Sequence, residues 1–184
     1  MKAVVLAAAA AVGTLLLTSS AHADDGGSTD TDTAAWRSNR GVQTSFGPSL
    51  LVPTDSRQNY GFGLEFGLRY GIKVGPTVLA PGGRVAGFFQ SSRFYGDLMP
   101  TLRWTIPLGP FAPFLEAGAG PGVASNPGRG GVGLLGGGGF MIHFGDVFGL
   151  GARVAYETIL GTDAGPAKPR FSVLSIGPML QFGF

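Results

Sequence analysis

The sequence contains no cysteine, which excludes both a disulfide framework and a lipid-modified cysteine at a processing site. Charge is scarce as well: 13% of residues are Asp, Glu, Lys or Arg, against 44% hydrophobic ones. That balance suits a protein whose outside is not mainly water. Beyond the first residues there is no uninterrupted apolar run of the roughly 20 residues that a spanning helix needs. A membrane-inserted form of this chain therefore crosses as strands. Glycine, at 33 of 184 residues, lacks the three-residue period of collagen. With 13 prolines it argues against long helices. The formal charge of +2 offers no basic surface for nucleic acid.

The amino terminus reads as a secretory signal over residues 1–23: Lys2, an apolar run from Ala3 to Leu17, and a small-x-small site at Ala21-His22-Ala23. The alternative, an uncleaved anchor, asks for a longer run. Residues 24–40, "DDGGSTDTDTAAWRSNR", are acidic and small, with Trp36 as the one aromatic residue. They read as a disordered lead-in, and the spacing of their aspartates matches no calcium loop. A single domain is then expected over 41–184.

What fills that domain is alternation. From Tyr60 to Val74, "YGFGLEFGLRYGIKV" sets Tyr60, Phe62, Leu64, Phe66, Leu68, Tyr70, Ile72 and Val74 against glycine, Glu65, Arg69 and Lys73. Period two is a strand. The pattern recurs between turn signals in "VQTSFGPSLLV", from about Leu79 to Gln90, in "YGDLMPTLRWTI", "FAPFLEAGAGPGV" and "VGLLGGGGFMIHF", from Phe148 to Glu157, and from Phe171 to Phe184. The stretch from Leu79 is the most irregular, because "APGG" (Ala80 to Gly83) reads as a bulge or part of a turn. Eight strands of about the length that crosses a bilayer predict an all-β fold, an antiparallel up-and-down transmembrane barrel. The large apolar face meets lipid and the glycine-and-charge face lines the lumen, the inverse of a lipocalin-like soluble barrel. Tight connections near Gly75, Gly109 and Asp146 belong to the periplasmic end, with Trp104, Phe111, Phe144, Phe148, Phe182 and Phe184 facing out there and Tyr60, Tyr95 and Tyr156 near the opposite rim.

The signal segment, the eight strands and the ending "MLQFGF" resemble the small outer-membrane barrels of the OmpA/OmpX type. The resemblance covers 41–184 and is one of architecture. It implies the bacterial outer membrane as location. It also implies that Leu180, Phe182 and Phe184 form the carboxy-terminal address read by the barrel-assembly machinery.

Glu65, Arg69, Lys73, Arg84, Asp97, Arg103, Glu116, His143, Arg153 and Glu157 fall on the lumen face. An isolated buried ion costs several kcal/mol, so these are expected to pair. Counting outward from the turn near Leu108 sets Arg103 level with Glu116. Such a lumen reads first as an ion-paired plug in a structural or surface-interacting barrel, and alternatively as a narrow or gated pore for small ions. Lipid A modification is the third reading, but His143 is the one histidine after the signal and no His-x-Ser arrangement accompanies it. No metal-ligand spacing or cofactor fingerprint appears; "LLGGGG" lacks the helix a phosphate-cradling loop requires. Arg57, Arg93, Arg129, Lys168 and Arg170 fall in or beside the outer loops, at the height of lipopolysaccharide phosphates, and are candidates to pair with them. The expected form is a monomer in outer-membrane lipid.

Overall fold

The computed structural model describes residues 33–54, 59–91, 93–125, 129–161 and 169–184. The expected signal segment and the acidic part of the lead-in lie outside them. A short helix, α1 (Ala34–Asn39), precedes eight strands: β1 (Gly41–Pro53), β2 (Gly61–Val74), β3 (Thr77–Gln90), β4 (Arg93–Thr105), β5 (Phe111–Ala124), β6 (Arg129–Phe144), β7 (Phe148–Gly161) and β8 (Pro169–Gly183). Each strand pairs antiparallel with the next, and β1 closes on β8 into a barrel. Closure leaves no sheet edge unpaired, which a strand in lipid requires.

The alternation follows from that setting. Large apolar side chains are exposed on all eight strands, among them Phe46, Phe66, Val85, Leu98, Leu115, Phe140, Leu150 and Ile176, while the residues between them turn inward. Gly75, Gly109 and Gly145 sit in the three tight connections with φ of 57°, 64° and 72°, a left-handed backbone that glycine adopts without steric cost. These turns lie at the end of the barrel where the chain enters and leaves. Phe144, Phe148 and Phe182 form an outward aromatic row at this end, with ring centroids 6.0 and 5.5 Å apart.

Three expectations need correction. "APGG" makes neither bulge nor turn: β3 keeps one register on both sides of it, with Arg69 opposite Gly82 and Ile72 opposite Leu79. Pro81 removes one ladder donor and still pairs in register with Leu102 on β4. Tyr95 is no part of an outer aromatic girdle. It shares parity with Asp97, faces inward, is 4% exposed, and lies 4.5 Å from the Phe171 ring. Residues 34–39 of the lead-in are not disordered but helical, with Ala35, Trp36, Ser38 and Asn39 buried. The apolar mouth of the barrel supplies what this short segment lacks alone, a surface on which to bury Ala35 beside Ala112, Phe114, Met141 and Met179.

Two glycines make the docking of α1 possible. A Cβ on Gly71 would run into the Asn39 carbonyl, and one on Gly183 into the Ser38 carbonyl. Replacing Gly183 by alanine is therefore expected to displace α1 at a cost of about 1–3 kcal/mol to its docking. In a Trp104→Phe background the emission of Trp36 should move to the red and become open to a soluble quencher. Unchanged emission would mean that α1 does not depend on this clearance.

Candidate functional site: the lumen

The interior is built in three storeys. At the end where β1 begins and β8 finishes, α1 caps the apolar set just described, and Asn39 anchors it. The Asn39 amide donates to His143 Nε2 (2.8 Å), Gln181 donates to Asn39 Oδ1 (3.0 Å), and Gln43 donates to the Asn39 carbonyl. At the opposite end Leu51, Phe88, Tyr95, Ile159, Phe171 and Val173 pack together, with Phe88 stacked on Phe171 at 5.1 Å.

Between them lie the charges. Glu116 is held from two sides, by Arg69 Nη2 on Oε1 and by Arg103 Nη2 on Oε2, the latter at 2.7 Å. Arg103 also donates to Gln181 Oε1 (3.0 Å), and its guanidinium lies 4.2 Å over the Phe114 ring. Ser45 accepts from Arg69 Nη1 at 2.8 Å. Nearer the other end, Arg84 reaches three carboxylates: Asp97 at 2.9 Å, Glu157 at 2.6 Å and Glu65 at 3.1 Å. Arg153 pairs with Glu65 and, at 3.4 Å, with Glu157, to which Ser175 also donates at 2.6 Å. The planar, five-donor guanidinium suits such shared pairing better than an ammonium would. Four arginines thus face four carboxylates, and the set is neutral. Arg103 and Glu116 are opposite each other in the β4–β5 ladder. The Arg69–Glu116 and Arg153–Glu65 contacts join strands that are not neighbours and depend on closure of the barrel.

The inward glycines accommodate this content. A Cβ on Gly67 would sit 2.6 Å from Arg69 Nη1, on Gly133 3.1 Å from Met99 Cε, and on Gly122 3.1 Å from Ile159 Cγ2. Their missing side chains are replaced by larger neighbours.

Of the residues expected in the lumen network, Lys73 lies elsewhere and His143 lies inside but apart from the ion pairs. Lys73 is exposed at the rim, where β2 runs past the mouth that α1 occupies, and its Nζ stands 5.1 Å from the Trp36 ring. His143 is buried, but it meets Asn39 of α1 rather than a charge. Phe182 and Phe184 are exposed on the outer face, with Leu180 half-buried on the same parity. Arg93 is exposed at the start of β4, and Arg129 begins β6. Arg57, Lys168 and the side chains of Arg129 and Arg170 lie outside the described residues. The apolar storeys and the Asn39 anchor are absent from the expectations. Parity would have found Phe88 and Phe114, which alternate in step with lumen charges, and Phe171 and Met179, which alternate in step with Ser175 and Gln181. Among the described residues no three His, Asp or Glu gather as a metal site.

No family model matches the chain, and no curated protein matches it. Among solved structures it is similar to Neisserial surface protein A, NspA, with a TM-score of 0.62 at 12% identity over 78% of this chain and 97% of that one. It is also similar to the N-terminal β-barrel domain of Pseudomonas aeruginosa OprF, with a TM-score of 0.52 at 13% identity over 79% and 98%. The chain has the fold of the small eight-stranded outer-membrane barrels. At such identities the likeness is one of fold, and a fold carries many activities. The apolar belt on every strand agrees with that location, since it leaves lipid as the solvent of the outer face.

Arg84 is the one cation paired with Asp97 among the described residues. Exchanging Arg84 for methionine should lower the unfolding free energy by about 3–5 kcal/mol, because it leaves a buried carboxylate unpaired. Urea titration in phospholipid vesicles reads this, and adding Asp97→Asn should recover part of the loss. A loss under about 1 kcal/mol, the range of an exposed pair, would contradict the network as described.

Proposed function

We propose that this outer-membrane barrel is a closed, structural and surface-interacting element rather than a pore or an enzyme. The observation that carries the reading is the three-storey lumen: a neutral set of paired charges between two apolar plugs, one of them capped by α1. An eight-stranded barrel is only wide enough for side chains to fill, and Arg84, Arg103, Phe88 and Phe171 are among the fully buried ones. Among the described residues the polar partner of the His143 ring is the Asn39 amide, an arrangement that suits an anchor better than a general base.

Interaction then falls to the outer rim and the lipid face. Arg57, Arg93, Arg129, Lys168 and Arg170 would pair with lipopolysaccharide phosphates and help to seat the barrel in the outer leaflet. Leu180, Phe182 and Phe184 would serve the barrel-assembly machinery during insertion. The apolar face on all eight strands supports a lipid-surrounded monomer.

Planar-bilayer recording of the folded protein tests the closed reading. Silence is expected from the wild type and from Arg103→Ala, since the apolar storeys persist in both. Discrete openings in the wild type that change with Arg103→Ala would establish the narrow pore instead. For the rim, the triple change Arg129→Ser, Lys168→Ser, Arg170→Ser should remove most of the gain in thermal stability that lipopolysaccharide confers. An intact gain would refute the seating.

A further inference from the structure

The rim where β1 begins and β8 finishes carries a second cationic feature, separate from the outer loops. Arg37, Arg40, Gly41, Tyr70, Gly71, Ile72 and Lys73 line a cleft of about 530 Å³ between the end of α1 and the end of β2. Gly41 is opposite Gly71 in the β1–β2 ladder, so Arg40 enters beside Ile72 and Lys73. Arg37 is engaged by Asp146 at 2.7 Å. Among the described residues no carboxylate is paired with Arg40 or Lys73, both of which are exposed.

What distinguishes this cleft from a solvated charged surface is its other wall. Tyr70 and Ile72 belong to the lipid-facing row of β2, which ends at Val74, and are 57% and 47% exposed, so the cleft opens near the end of the apolar belt. One wall suits acyl chain and the other suits a phosphate. Basic side chains at the edge of an apolar belt attract anionic lipid headgroups. We propose that the cleft binds the phosphate of an anionic phospholipid from the inner leaflet of the outer membrane, with Arg40 and Lys73 on the phosphate and Tyr70 and Ile72 against the first methylenes.

The lysine carries its own reporter, because its Nζ lies 5.1 Å from the Trp36 ring. The chain has two tryptophans, so a Trp104→Phe background leaves Trp36 as the emitter. Short-chain phosphatidylglycerol, titrated into the folded protein in a neutral detergent, is expected to change that emission saturably, while short-chain phosphatidylcholine at the same concentration does not. Arg40→Gln should raise the half-saturating concentration about tenfold, the loss of one charge-assisted hydrogen bond, whereas Arg40→Lys and the opposite-rim change Arg93→Gln should leave it within about twofold. An equal response to both lipids, or one unaffected by Arg40→Gln, would overturn the site. Inorganic phosphate producing the same response at the same concentration would overturn the lipid assignment.

Discussion

Four guanidinium groups and four carboxylates share an interior too narrow for each to keep its own hydration, and the rest of the barrel is arranged around that fact. An unpaired ion there would cost several kcal/mol, comparable with the whole stability of a small domain. Pairing is therefore a condition of folding. It also explains the glycine content of the inward face. Arginine reaching from β2 to Glu116, or from β7 to Glu65, must cross the lumen, and small neighbours such as Gly67 give its head room. The apolar storeys at both ends keep the pairs out of bulk water, where each would be screened to little effect.

The helix α1 completes the same logic at the mouth. Its Asn39 is bonded to His143 and Gln181, and Gln181 in turn accepts from Arg103. The cap and the charge network are one hydrogen-bonded system. Arg37 of α1 and Arg40 just after it are exposed, and the lipid-facing row of β2 finishes beside them. The end that α1 occupies is thus closed on the inside and amphipathic on the outside.

Much of this was legible from period two. The strand count, the lipid-facing and lumen-facing sets, and the adjacency of Arg103 and Glu116 follow from alternation and one turn count. Contacts across the lumen, such as Arg69 with Glu116, were not legible, because local sequence does not say which non-neighbouring strands closure brings together. Tyr95 and Phe171 were hidden by an assumption that the lumen face is polar throughout, although their parity with Asp97 and Ser175 was readable. The helix at 34–39 escaped for a different reason. Its composition is that of a disordered segment, and it is the mouth of the barrel, through Gly71 and Gly183, that gives it a place to fold.

The most direct test of the central claim is a double-mutant cycle on Arg103 and Glu116, read by reversible unfolding in phospholipid vesicles. If pairing is what allows these charges inside, Arg103→Met and Glu116→Gln will be non-additive by more than about 1.5 kcal/mol, toward the upper part of the range for side chains in one network. Additivity within about 0.5 kcal/mol, as for independent sites, would mean that each charge is stabilised separately, and the account of a paired and closed lumen would be wrong.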